Sequence, residues 1–200
     1  MEQIRSFIAI ELPGALKQEL AKLQGRLQQP RQSWIKWVDP QSIHLTLKFF
    51  GNINMDKIPP ITKAMEAAAR GIPPFHLEVS GLGAFPNLKR VQVVWVGVGG
   101  ETEVLRHLLR SFESHLAPLG FVPEKREFSA HLTLARLRHQ ATPPERERLG
   151  QLIASTRFKP AQTIKVEAIN LMKSQLTRDG AIYSIVSSVG LNKPLSSTTA

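Results

Sequence analysis

Two stretches decide the reading of this chain: Ile43-His44-Leu45-Thr46-Leu47-Lys48-Phe49 and Ala130-His131-Leu132-Thr133-Leu134-Ala135-Arg136. The tetrapeptide His-Leu-Thr-Leu is identical in both, and 87 residues separate His44 from His131. Both stretches read as strands. Side chains of a strand alternate between its faces, so each His and Thr share one face and the leucines take the other. Helices can cover a leucine face. The His/Thr face must then look into something polar. One strand histidine is usually an ordinary surface or hydrogen-bonded residue. A second copy at an equivalent place changes the balance, because a purely structural repeat would keep the leucines and let the His and Thr drift.

The surrounding chain repeats as well. Residues 4–12 alternate and are β-branched, which predicts a strand broken by Pro13-Gly14. Leu16, Leu20, Leu23 and Leu27 then recur at helical spacing to about Gln28. Residues 34–38 predict an irregular segment or brief strand, and 42–50 a strand ended by the turn signal Gly51-Asn52. Residues 58–69 predict a helix with Pro59-Pro60 in its first turn. Strands follow over 75–79 and 90–98, joined by a Gly/Pro-containing connection over 80–89. The second half gives a helix over 101–116 and a strand over 129–136. A helix over 143–155 and strands over 163–171 and 181–189 complete it. Eighty-eight residues separate Pro13 from Glu101, and 89 separate Glu78 from Glu167. Landmarks at this near-constant spacing imply a duplicated strand–helix–strand–helix–strand unit, whose copies pack to share one core. The expected fold is α+β: two lobes related by a pseudo-two-fold axis, antiparallel sheets lining a central cleft, and helices outside. One bilobal domain is expected over residues 1–190, with a flexible Ser/Thr-rich tail over 191–200.

Composition narrows the partners. With 200 residues the chain can bury one sizeable core. No run approaches the roughly 18 apolar residues of a membrane span, and the N-terminus does not read as a signal peptide. A cytoplasmic protein with no membrane partner is expected. Cysteine is absent, which removes disulfides and thiolate metal sites. The formal net charge of +10 suits a polyanion. Aromatic residues make up only 6%, too few for a broad base-stacking platform.

Two His and two Thr on facing strands can do limited chemistry. A metal site would need a carboxylate or third histidine at ligand spacing, and threonine is a poor zinc ligand. A nucleophilic hydroxyl would need one base and one orienting acid, which leaves the symmetry without purpose. In-line opening of a phosphodiester uses the symmetry fully. It requires a base behind the attacking oxygen and an acid behind the leaving oxygen, on opposite sides of phosphorus. Imidazole titrates near neutral pH and can fill either role, while threonine hydroxyls donate to the non-bridging oxygens. His44 and His131 are therefore the candidate catalytic residues. Thr46, Thr133 and Lys48 are the candidate substrate-binding residues. Lys48 shares the parity of His44. Arg136 has the opposite parity to His131 and reaches the groove only if the strand ends or twists there. His76, His107, His115 and His139 have no paired counterpart and are taken as ordinary residues.

The paired motifs resemble those of the 2H phosphoesterase superfamily, and more closely its RNA 2′,3′-cyclic phosphodiesterase (2′-5′ RNA ligase) group. Arg5 to Ile10 resembles that family's opening strand, and Gly81 to Pro86 with Arg90-Val91 and Trp95 to Gly97 resembles the loop and strand after the first motif. Ser174 to Leu176 and Gly180 to Tyr183 resemble its closing hairpin. The resemblance implies conversion of an RNA 2′,3′-cyclic phosphate end to a 2′-phosphate, with no metal or other cofactor. Reverse 2′-5′ ligation is also possible. It implies His44 as the acid on the departing 3′ oxygen, His131 as the base on water, and Arg136 as a phosphate contact. One departure stands out: Ala130 occupies the place where the family usually has proline. Alternatives are a phosphodiesterase for a small cyclic nucleotide or a 2′-5′ oligonucleotide, and a non-catalytic RNA-end-binding module. A monomer without a protein partner is expected.

Overall fold

The computed structural model describes residues 2–160, 163–177 and 181–192. Its strands are β1 (Gln3–Ile10), β2 (Ile35–Trp37), β3 (Leu45–Asn54), β4 (Phe75–Phe85), β5 (Val93–Gly100), β6 (His131–Leu137), β7 (Thr163–Val166), β8 (Ala168–Leu176) and β9 (Ala181–Gly190). Its helices are α1 (Gly14–Leu27), α2 (Ile58–Ala69), α3 (Thr102–Leu116) and α4 (Pro143–Ser155). The strands form two antiparallel sheets, ordered β3-β1-β8-β9 and β2-β6-β5-β4-β7. The duplication is visible in these orders, since β3-β1-β8 in one sheet answers to β6-β5-β4 in the other. The third strand of each half crosses over to complete the sheet of the other half. One hydrophobic cluster runs through both halves, from Ile4 and Leu16 to Phe112 and Leu171.

The helices cross over in the same way. Helix α1 lies on the sheet that holds β6, where its Gln24 bonds the Leu134 carbonyl at 3.0 Å. Helix α3 lies on the sheet that holds β3, where its Glu113 meets Lys48 at 2.8 Å. Packing dominates the stability of α1. The helix begins at a glycine and has no side-chain cap bond, which forgoes about 1 kcal/mol. Its leucines 16, 20, 23 and 27 are fully buried, and each is worth about 1.5–3 kcal/mol. Helix α4, by contrast, is capped locally: the Glu145 carboxylate accepts the Thr142 N–H at 2.7 Å in a capping box.

Three expectations change. The glycines of residues 51 and 81 are not loop residues. Both lie inside strands with positive φ, at one-residue register shifts opposite β1 and β5. They are β-bulges, which need glycine for the same reason a turn does. The stretch expected as one strand over 163–171 is two, because the chain leaves one sheet after Val166 and joins the other at Ala168. Leu191, expected in the tail, is buried and donates its N–H to the Glu167 carbonyl at 2.8 Å. Residues 193–200 of that tail lie outside the described residues.

Lys48 is the main correction to the candidate site. It is 5% exposed and faces α3, not the groove. Its ammonium bonds both Glu113 oxygens, at 2.8 and 3.0 Å, and the Val122 carbonyl at 2.9 Å. The two members of the pair differ in exposure, with side chains 4% and 28% accessible respectively. Glu113→Ala strands a buried ammonium and should cost about 3–5 kcal/mol. Lys48→Met leaves a carboxylate that water can still reach and should cost less than half as much. Chemical denaturation of the two variants measures the difference.

Candidate active site

Each motif strand carries one extra residue directly after its threonine. In β3, Ala9 of β1 pairs with Thr46 and Ile8 with Lys48, which leaves Leu47 unmatched. In β6, Trp95 of β5 pairs with Thr133 and Val94 with Ala135, which leaves Leu134 unmatched. The bulge reverses the phase of everything that follows. Leu47 and Lys48 are both buried, and so are Leu134 and Ala135. Phe49 and Arg136 are thereby turned onto the face of the histidines, and both line the groove. Arg136 thus gains the groove and Lys48 loses it by the same irregularity.

The two imidazoles are held alike. His44 Nδ1 lies 2.8 Å from the Ser42 carbonyl, and His131 Nδ1 lies 2.7 Å from the Ser129 carbonyl. A carbonyl only accepts, so each Nδ1 carries the proton and donates it. Each Nε2 is left as the nitrogen available for chemistry. Aromatic rings fix the planes. Phe7 stacks on His44 at 4.7 Å, and Tyr183 meets its edge at 5.0 Å. Phe85 meets His131 edge-on at 5.0 Å, and Trp95 stands 6.4 Å away. Burial lowers the pKa of His44 below 6.5. The bond to Ser42 and the Glu11 carboxylate oppose this shift, and Lys17 adds to it.

A cavity of about 450 Å³ opens on this face, lined by both halves of the chain. Arg5, Phe7, His44, Thr46 and Phe49 come from the first half, and Thr133, Arg136, Ser174 and Tyr183 from the second. His131 is not in its lining but stands two residues from Thr133 on the same face of β6, with its ring against Phe85 and Trp95. Sequence reasoning missed Arg5, Phe7, Phe49, Ser174 and Tyr183. For Arg5 and Phe7 a signal existed, because the alternation of β1 puts them on one face. Neither Arg5 nor Arg136 pairs with a carboxylate among the described residues. The cavity therefore has unneutralised cations, hydroxyl donors and one imidazole, a composition suited to a phosphate. No group of three or more His, Asp or Glu among the described residues is arranged to hold a metal ion.

The family model described as LigT-like phosphoesterase matches the chain twice, over residues 10–95 and 96–183. The chain belongs to the LigT-like phosphoesterases. Each match takes in one His-x-Thr strand with the helices before and after it. Among relatives, an RNA 2′,3′-cyclic phosphodiesterase of Methanothermobacter thermautotrophicus is 32% identical, covering 91% of this chain and 96% of its own. One from Aeropyrum pernix is 37% identical over 74% of this chain and 82% of its own. TT0787 of Thermus thermophilus shares the LigT-like fold, with a TM-score of 0.77 at 24% identity over 95% of this chain and 99% of its own. LigT of E. coli complexed with 3′-AMP gives 0.76 at 23% identity, over 96% and 100%.

The environment of His44 makes a measurable demand. A lowered pKa means that the folded protein disfavours the charged imidazole. Acidification through 6.5 therefore costs stability, and the loss levels off below the lowered value of His44 itself. In an NMR titration of the free protein, His44 should reach its midpoint below 6.5. Inorganic phosphate in the cavity should move that midpoint up, because a nearby anion favours imidazolium.

Proposed function

We propose that this chain hydrolyses RNA 2′,3′-cyclic phosphate ends to 2′-phosphates by paired-histidine acid–base catalysis without a metal. One observation carries the reading. Two identical His-x-Thr strands, one from each half, have their imidazoles locked in the same tautomer, and both threonines reach one cationic cavity. The names of the relatives give the substrate class, and the net charge of +10 suits an RNA.

In this mechanism water attacks phosphorus while the bond to the 3′ oxygen breaks. His131 Nε2 takes the proton of water, and His44 Nε2 returns one to the 3′ oxygen. Thr46, Thr133 and Arg136 hold the non-bridging oxygens, where charge accumulates. Arg5 adds a second cation to the cavity. The burial that keeps His44 neutral in the free protein works against an acid. The phosphate anion of the substrate restores its proton, so binding and protonation are coupled. The same pair run backwards would join 2′-5′ RNA ends. Residues 1–190 act as one monomeric unit in this reading, and the enzyme is cytoplasmic.

Incubation with an RNA bearing a 2′,3′-cyclic end, followed by mass spectrometry, should reveal the gain of one water. A phosphatase specific for monoester ends should then remove the phosphate. An unchanged end would overturn the proposal. His44→Ala and His131→Ala should each lower turnover by about 10² to 10⁴, the usual range for a positioned acid or base. Thr46→Ala and Thr133→Ala should cost less. EDTA should leave the rate unchanged. The rate should fall on both sides of an optimum within about pH 5–8, and a flat profile with chemistry rate-limiting would exclude these histidines as the proton-transfer pair.

A further inference from the structure

A second cavity, of about 790 Å³, opens on β4 and β5, the strands that follow the second motif strand in the sheet order. Gly83, Ala84, Leu88 and Trp95 line it, with Asn87, Lys89 and Arg90. Trp95 joins it to the active site, since its indole is also the ring beside His131. The indole lies flat enough against β4 that a Cβ at Gly83 would fall 2.2 Å from it. The floor is therefore apolar and aromatic, and the rim carries two adjacent cations.

The cations are held on a fixed loop. The Asn87 side-chain oxygen accepts the N–H groups of Lys89 and Arg90, both at 3.0 Å. The Leu88 backbone presses on α4 at Gly150, where a Cβ would fall 1.8 Å from the Leu88 carbonyl oxygen. From the same helix, Arg146 bonds the Val91 carbonyl at 2.6 Å. Arg146 spends its guanidinium on carbonyls, whereas Lys89 and Arg90 have no carboxylate partner among the described residues. Two unneutralised charges on a braced loop, beside an aromatic floor, match a nucleotide: a base on the apolar surface and a phosphate at the rim.

We infer that this cavity binds the nucleotide immediately 5′ of the reacting one, so that single-stranded RNA leaves the active site past His131 and over Trp95 to Lys89 and Arg90. The inference rests on the proposed activity. A cyclic phosphate closes the 3′ end, so the strand continues only through the 5′ oxygen of the terminal nucleoside. The first phosphate beyond the reacting one is then the group that Lys89 and Arg90 neutralise.

The test compares two substrates, a mononucleoside 2′,3′-cyclic phosphate and a short RNA ending in the same group. Lys89 and Arg90 are exposed, so the double variant K89A/R90A should fold as the parent does. It should lower kcat/KM for the RNA about tenfold or more, and leave the mononucleotide unchanged. It should also flatten the dependence of log kcat/KM on log salt by about 0.7, the value for one lost phosphate contact on a single strand. K89E/R90E should deepen the loss for the RNA alone. Equal effects on both substrates, or none on either, would overturn the inference. If the parent protein turns over neither substrate, the proposed activity fails on its own. Fluorescence anisotropy with the same RNA then decides: weaker binding by the variant supports the track, and equal binding removes it.

Discussion

The site depends on one extra residue in each motif strand. Without the bulges at Leu47 and Leu134, strict alternation would point Lys48 into the groove and bury Arg136 against helices. A lysine would replace an exposed phenylalanine, and a buried guanidinium would stand where Ala135 now packs. Burying an unpaired charge costs several kcal/mol, so the second half would not tolerate that register. The bulge thus decides both what the groove presents and what the core accepts.

Each bulge is met from behind by a polar residue at the same place on a helix. Gln24 follows the buried Leu23 of α1, and its amide bonds the carbonyls of Val38 and Leu134 at 2.8 and 3.0 Å. Glu113 follows the buried Phe112 of α3, and its carboxylate takes the Lys48 ammonium. A bulge leaves backbone groups out of the ladder, and buried polar groups need partners. In the second half the helix satisfies the bulged carbonyl directly. In the first it neutralises the side chain that the bulge has turned inward. One geometry is stabilised by two chemistries.

Much of this was legible in the sequence. The repeat spacing announced two lobes, and leucine periodicity located α1. The start of α2 was marked by its Pro59-Pro60 opening. The paired His-x-Thr strands were visible as a site because both halves carry them. Bulges were not legible, because one residue too many in a strand leaves no mark on periodicity until its partner strand is known. Gly51 and Gly81 signalled positive φ, and that signal cannot separate a turn from a bulge. Tyr183 was hidden for another reason: it lies 139 positions along the chain from His44, and only the crossing of β8 and its hairpin partner brings it to that ring.

The exchange of third strands has an evolutionary consequence. Half of this chain alone would expose the edges of β1 and of its own departing strand, so it would be complete only when paired with a second copy. Two identical copies around a true dyad must carry identical residues at equivalent places. A covalently joined pair escapes that restriction. Phe49 can then differ from Arg136, and Lys48 from Ala135. One imidazole, His44, can also lie deeper than its twin. Reactions that need a donor of protons on one side and an acceptor on the other are better served by a broken dyad than by a perfect one.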